Sequence, residues 1–435
     1  MRVGLVSLGC PKNLVDSENM LGILQKDGYD VTNDEKAADL LIVNTCAFID
    51  EAKEESVNTI LEMARLKREG ACRALLVTGC LAQRFPRELA DEMPEIDGII
   101  GTGDLSSVST AAAVVLAGGK ISKVGRPGYL PETATPRLQA TPRHFAYLKI
   151  AEGCDNRCTY CVIPDIRGPY RSREAADLAE ESAALAAAGV RELILVAQDT
   201  TRYGQDIYGR PSLPELLERL SAIDGINWLR LLYTYPSLID ERLIQTIATN
   251  EKVCRYLDLP LQHVSARILK KMNRPKDGGR VAELVKRLRA AIPGITLRTT
   301  FITGFPGETE DEFEELLQFI RETEFDRVGV FAYSQEENTP AALLADQVDN
   351  ETKLERQRRA MAAQQEISLR KNREKIGATM TVLMDGPREG RGEGDAPEID
   401  CKVFVKAGRR LGSGELVRVK ITGAAEYDLS GDLVE

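Results

Sequence analysis

A chain of 435 residues is too long for one hydrophobic core and is expected to divide into two or three domains. Its composition, 43% hydrophobic and 29% charged, is ordinary for a globular protein, and apolar runs such as residues 40–43 are strand-sized, far below a membrane span. A formal net charge of −10 argues against broad, sequence-independent gripping of phosphate backbones.

The first residues lead directly into a strand with no secretory or transit pattern. The nine cysteines are dispersed and odd in number, which fits reduced thiols, so a cytoplasmic location without membrane association is expected.

Alternation of strand and helix patterns predicts an open parallel α/β sheet domain over residues 1–117. Strands are expected at 3–8, 40–43, 74–78 and 98–101. Helices are expected at 16–26, where the acidic Asp16 would suit the positive N-terminal dipole, and at 51–68. Cys10, Cys46 and Cys80 follow the first three strands. The carboxyl ends of parallel strands line one rim, so these distant thiols are expected to converge there. Three thiolates can hold three irons of a cubane cluster and leave the fourth open; three unrelated buried cysteines are the alternative. Cys72, Cys254 and Cys401 lack such placement and read as ordinary free thiols.

Residues 118–143, with Pro127, Pro131, Pro136 and Pro142, read as a linker laid over the surface. Over 144–371 the strand–helix pattern recurs six times, with strands near 147–150, 192–197, 228–233, 256–259, 296–302 and 327–331. Six units are too few for a closed eightfold barrel, so a partial (βα)6 TIM-like barrel is expected. Directly after its first strand come Cys154, Cys158 and Cys161, spaced Cys-x3-Cys-x2-Cys. A structural zinc site wants four ligands, and only His144 and His263 could supplement three thiols. An odd number of thiols in one loop also disfavours disulfides. An iron–sulfur cluster with one open iron is the expectation, and a zinc knuckle or a chance cluster the alternative.

Other rim segments become cofactor candidates by position: Gln198 and Asp199 after the second strand, residues 259–263 after the fourth, and Arg298 to Glu308 around the fifth. Gly304 and Gly307 would let backbone approach a flat ring, although a tight βα turn has the same composition. His263 reads as a structural histidine, and no catalytic acid or base is assigned. A charged helix follows over 350–373, with apolar positions at Leu354, Met361, Ile367 and Leu369, and its run from Arg356 to Arg359 reads as a solvated face. Residues 372–435 break into short alternating strands, as in a small antiparallel β-barrel. This last stretch carries ten Lys and Arg against twelve Asp and Glu, a balance that suits a basic partner better than RNA phosphates.

The loop of Cys154, Cys158 and Cys161, with Tyr160 before the last thiol, resembles the signature of radical S-adenosylmethionine enzymes. The resemblance implies that the open iron chelates the amino and carboxylate groups of S-adenosylmethionine. Ile302 and Gly304 would then line its adenine site, with Tyr160, Gln198, Asp199 and Arg298 as further cofactor contacts. Two three-cysteine sites, a partial barrel and a terminal β-barrel are similar, along essentially the full chain, to the methylthiotransferases, whose last module is a TRAM domain.

Residues 7–18 (Ser-Leu-Gly-Cys-Pro-Lys-Asn-Leu-Val-Asp-Ser-Glu), 235–237 and 395–400 resemble the RimO branch. Relatives that modify tRNA usually carry Gln-Met-Asn after the first cysteine. The implied activity is addition of a methylthio group to the β-carbon of an aspartate in small-subunit ribosomal protein S12. The implied cofactors are two 4Fe-4S clusters, one of them auxiliary, and S-adenosylmethionine. An electron donor such as flavodoxin or ferredoxin and a sulfur donor are the implied partners. The rival readings are a MiaB-like tRNA adenosine methylthiotransferase and a non-catalytic iron–sulfur electron carrier.

Overall fold

The computed structural model of the chain describes residues 1–132, 135–274 and 278–434. They form two compact units, one of residues 1–140, 149–173 and 334–342, the other of 141–148, 174–333 and 343–435. These units are not the expected domains: the cysteine loop after the first barrel strand belongs with the N-terminal sheet.

The first unit is built on a six-stranded parallel sheet, β1 (Arg2–Ser7), β2 (Asp30–Val31), β3 (Leu40–Thr45), β4 (Ala74–Gly79), β5 (Gly98–Ile100) and β6 (Ile121–Lys123), in the order β2-β1-β3-β4-β5-β6. β3 and β4 are buried along their whole length, as their unbroken apolar runs require when both faces are covered. One face packs on α1 (Pro11–Lys26) and a later helix through Met20, Leu24, Val108 and Ala112. The other packs on α2 (Asp50–Glu69), α3 (Cys80–Arg84) and α4 (Pro86–Glu92) through Ile60, Met63, Leu81 and Leu89. The later helix is α5 (Val108–Leu116).

Two expectations change here. The first helix begins at Pro11, a residue preset for the first helical turn, so Asp16 lies in mid-helix, fully buried, rather than at the dipole end. The supposed linker is also part of the unit: β6 extends the sheet, and Arg137 donates to Glu18 Oε2 at 2.5 and 2.8 Å while Ala140 N donates to Glu18 Oε1 at 2.7 Å. Residues 133 and 134 of that stretch lie outside the described residues.

β7 (Phe145–Lys149) closes the edge of the second unit's first sheet, and its last residue begins the segment that joins the first unit. That segment carries β8 (Ala151–Glu152), α6 (Ile163–Arg167) and β9 (Arg171–Ser172), and Val162 and Ile166 enter the core beneath α3. The second unit continues with α7 (Ala175–Ala187), β10 (Glu192–Val196), α8 (Gln205–Tyr208), α9 (Leu213–Ser221), β11 (Trp228–Leu231), α10 (Glu241–Thr249), β12 (Tyr256–Gln262), α11 (Ala266–Lys271), α12 (Gly278–Ala291), β13 (Thr296–Thr303), α13 (Glu310–Thr323) and β14 (Arg327–Ala332). Its strands make two three-stranded sheets, β11-β10-β7 and β12-β13-β14. Across the seam Tyr233 N donates to Asp258 Oδ2 at 3.0 Å and Thr234 N to Asp258 O at 3.2 Å, which gives the expected six-stranded partial barrel.

α14 (Asn350–Glu374) then runs along α13 and β14. Its buried face differs from the expected apolar stripe, because Leu354 is exposed while Lys353 and Arg356 are buried. Arg356 pairs with Glu308 at 2.9 Å and Glu310 at 3.0 Å, and Arg359 with Glu310 at 2.7 Å. The basic run is an ion-paired seam, not a solvated face. β15 (Thr379–Met384), β16 (Glu389–Gly392), β17 (Val403–Lys406), β18 (Leu416–Ala424) and β19 (Leu429–Val434) close a barrel. It has five strands, and its β17–β19 pair is parallel, so the barrel is not wholly antiparallel as expected.

The loop between β16 and β17 packs on residues of three of the partial barrel's strands, Arg327 and Tyr256 being the first residues of theirs. Arg327 donates to Asp395 at 2.6 Å, Tyr256 OH to Asp400 at 2.7 Å and Arg230 to the Glu393 carbonyl at 2.6 Å. The residue 395–400 motif is therefore the clamp that seats the small barrel on the larger one.

Candidate metal centres

Cys10 stands at the amino end of α1, Cys46 just past β3, and Cys80 at the first position of α3. β1, β3 and β4 are adjacent and parallel, so the three thiols come to one stretch of the carboxyl rim, as expected. The turns that bring them there depend on Gly9 (φ 84°) and Gly79 (φ 91°). A Cβ on Gly9 would lie 2.9 Å from Cys46 Sγ, and one on Gly79 2.5 Å from Thr45 O. Asn13 braces the rim: its Nδ2 donates to Leu8 O at 3.0 Å and Thr45 O at 2.8 Å.

Burial, and then the neighbouring Cys80 and Cys10, push the Cys46 thiol up to about 12; burial also raises Cys80, against the pull of Arg167. Two buried sulfurs, Cys46 and Cys80, beside a half-buried Cys10 are poor as free thiolates. They suit a positively charged inorganic core that makes up for the lost water.

The second trio follows Gly153, a positive-φ residue (82°) whose missing side chain admits the Gly168 and Pro169 carbonyls. Cys154 N donates to Gly168 O at 3.0 Å, Tyr170 N to Asp155 Oδ1 at 3.1 Å and Cys161 N to Cys158 O at 3.1 Å, so the loop is pinned at its start, middle and end. Ala341 N of the returning segment donates to Thr159 O at 3.0 Å. The same segment sends Glu336 to Arg84 at 2.6 Å and to Lys53 at 3.0 Å. Among the described residues no three His, Cys, Asp or Glu side chains gather as around a single ion; a four-iron cube spaces its thiolates more widely than one ion does.

A buried polar group lies among these parts. Lys149, fully buried, donates to Glu152 Oε2 at 2.7 Å and to Asp16. Arg167 donates through Nη1 to Asp16 at 2.6 Å and Glu152 at 3.1 Å. Its Nη2 donates to Asn13 Oδ1 and, at 3.5 Å, to Cys80 Sγ. Burial would lower the pKa of both cations, but the facing carboxylates, and for Arg167 the Cys80 sulfur first, hold both above their ordinary values.

The other candidates lie in the second unit, except Tyr160, which stands half-buried in the cysteine loop. Gln198 and Asp199 follow β10, and buried Asp199 accepts from Thr201 Oγ1 at 2.6 Å. Ile302 and Gly304 stand at the carboxyl end of β13; Gly304 has φ 68°, and a Cβ there would run into the Lys353 side chain. Arg298 shares the alternating side of Ile302 but lies near the amino end of β13, with Asp258 at 2.9 Å and Asp400 at 3.5 Å. The structure therefore separates Arg298 from the rim. His263 is buried, accepts from Ser265 N at 3.0 Å and has Nε2 3.4 Å from Glu308. That is the structural role expected of it.

Residues 2–101 match the family model described as uncharacterized protein family UPF0004, residues 148–320 the radical SAM superfamily, and residues 376–434 the TRAM domain. A protein of Pelotomaculum thermopropionicum called ribosomal protein uS12 methylthiotransferase RimO is 59% identical, over 100% of this chain and 99% of that protein. A protein of the same name from Desulforudis audaxviator is 52% identical over 98% and 96%. The chain belongs to the RimO family of methylthiotransferases. Among solved structures, the radical S-adenosylmethionine methyltransferase TsrM from Kitasatospora setae aligns with a TM-score of 0.59 at 17% identity, over 89% of this chain and 81% of that one. At that identity the likeness shows a shared fold.

In this RimO-family chain the sequence points to the six thiols as candidates but not to the Lys149–Asp16–Glu152–Arg167 group. One signal was available: Lys149 interrupts the otherwise apolar run Phe145 to Ala151, and a lysine buried there needs acidic partners. Nothing local pointed to Asp16 as one of them.

Proposed function

We propose that this RimO-family chain transfers a methylthio group from S-adenosylmethionine-dependent chemistry to the β-carbon of an aspartate in ribosomal protein S12. The observation that carries the reading is the presence of two thiol trios in one compact unit, one gathered at three adjacent strand ends with Cys80 Sγ 3.5 Å from Arg167, the other on a single braced loop. Cys154, Cys158 and Cys161 hold one cluster, and Cys10, Cys46 and Cys80 an auxiliary one. When bound, the first cluster with S-adenosylmethionine supplies a carbon radical able to take hydrogen from an unactivated C–H bond, and the second offers an open iron to sulfur.

Gln198, Asp199, Ile302 and Gly304, all in the second unit, bind and orient S-adenosylmethionine. Arg298, paired with two carboxylates deeper along β13, positions the barrel interior rather than the cofactor. A β C–H beside a carboxylate is far too weakly acidic for a side-chain base, so the protein's work is ligation, alignment and exclusion of water. A low-potential flavodoxin or ferredoxin delivers the electron, a sulfur donor replenishes the auxiliary site, and the reducing cytoplasm, where ribosomes lie, is the setting.

The test is anaerobic reconstitution followed by S-adenosylmethionine, dithionite and a peptide of the ribosomal protein, read by mass spectrometry. Methylthio-aspartate and 5′-deoxyadenosine are expected. Cys80→Ala should keep about half the iron and still form 5′-deoxyadenosine, but should yield no methylthiolated peptide. Iron for only one cluster in the unsubstituted chain, or a methylthio group on tRNA adenosine instead of the peptide, would refute the reading.

A further inference from the structure

We propose that Arg167 is a positioning residue of the auxiliary cluster, setting its reduction potential through a charged hydrogen bond to Cys80 Sγ while Asp16 opposes it from the other side of the same guanidinium. This rests on the reading that Cys10, Cys46 and Cys80 hold a cluster.

Arg167 ends α6 and is 3% exposed. Its two terminal nitrogens face different ways: Nη2 to Cys80 Sγ at 3.5 Å and to Asn13 Oδ1, Nη1 to Asp16 Oδ2 at 2.6 Å and Glu152 Oε2 at 3.1 Å. Lys149 donates to the same two carboxylates. The four charged groups balance, two cations against two carboxylates, so a thiolate-bound cluster adds net negative charge beside a guanidinium already fixed in place. The fork can turn to the cluster without reorganising, because its other end is held.

Cluster potentials respond to net charge nearby and to hydrogen bonds on the ligating sulfurs. A cationic donor on Cys80 favours the more negative, reduced cluster and raises the potential. Asp16, in contact with that donor, favours the oxidised form and lowers it. Burial sharpens both effects, since no water screens them. Glu152 stands two residues before Cys154, so the group that sets the charge at one cluster is built partly from the segment that carries the other. Stability alone does not account for the arrangement, because apolar side chains of similar volume usually serve a core as well as buried ion pairs do.

The experiment uses the full-length chain with Cys154, Cys158 and Cys161 changed to Ala, reconstituted without oxygen so that one cluster is titrated by potential-dependent electron paramagnetic resonance. Arg167→Gln should lower the midpoint, Arg167→Lys should restore part of the shift, and Asp16→Asn should raise the midpoint. Opposite signs are the decisive feature, since a purely structural role would move both variants alike through a loosened site. A midpoint unmoved by Arg167→Gln, or moved the same way by Asp16→Asn, would overturn the proposal. If Arg167→Gln does not retain its iron, Asp16→Asn decides alone: a midpoint that fails to rise refutes it. A parent that binds no iron at all removes the auxiliary cluster itself, and the proposal with it, which separates that failure from the others.

Discussion

Replacing Asp395 by Ala should open the seat between the small barrel and the larger one, at a cost that follows from the clamp's geometry. Asp395 Oδ1 accepts from Arg327 Nη2 at 2.6 Å and Nε at 3.1 Å, and the two side chains are 3% and 7% exposed. Removing one partner of such a pair leaves a buried, uncompensated charge and costs about 3–5 kcal/mol. Arg327 keeps its bond to Asp326 O at 2.9 Å and feels Asp400, so the lower end applies, about 3 kcal/mol, or roughly a hundredfold in the opening equilibrium. A chain of two units does not unfold in two states, so a single melting temperature is the wrong readout. Native-state hydrogen exchange of the amides in β15 to β19 reports the local opening directly. The double variant Arg327→Met/Asp395→Leu should recover most of the protection, because it removes the stranded charge as well as the pair. Unchanged exchange in Asp395→Ala, or equal losses in the single and double variants, would refute the account of residues 395–400 as an electrostatic clamp.

The acid side of the stability profile should carry a signature of Glu312. Burial would raise its pKa, but Arg267 at 2.5 Å, Thr309 N at 3.0 Å and Ser265 Oγ at 2.7 Å hold it down at about 2, against an ordinary 4.5. A carboxyl lowered in the folded state stabilises above its unfolded pKa and loses that contribution as pH falls through the folded one. Acid unfolding of Glu312→Gln should therefore be shallower than that of the parent between about 4.5 and about 2, and a parallel curve would count against the assignment. Gly304→Ala should lose about 1–2 kcal/mol from its left-handed backbone alone, and more as the new Cβ pushes Lys353 and α14 aside. If S-adenosylmethionine binding fell while hydrogen-exchange protection of α14 held, the glycine would serve the ring's approach rather than helix packing.

What was legible in the sequence was what local chemistry specifies. Cys10, Cys46 and Cys80 each follow a strand and a turn within a few residues, and parallel strands gather their carboxyl ends whatever lies between, so the convergence could be read without coordinates. The fold classes followed from the same periodicities. What escaped was long-range pairing of charge. Asp16 looked like a dipole partner because an acid often opens a helix, yet Pro11 starts this one five residues earlier and turns Asp16 toward Lys149 and Arg167, 133 and 151 residues away. Arg356 to Arg359 looked solvated because the complementary Glu308, Glu310 and Glu314 belong to another stretch of chain. Residues 118–143 looked like a linker because composition cannot show that Arg137 meets a buried Glu18. Arg298 was expected at the rim, and it shares a side of β13 with Ile302, but Asp258 and Asp400 hold it near the strand's amino end. A sheet fixes which residues reach its rim, whereas a buried charge is placed by its partner, and in this chain the buried Glu336 pairs with Arg84 across 252 residues. For that reason the thiols proposed as ligands could be named in advance, and the charged group argued to tune one of the proposed clusters could not.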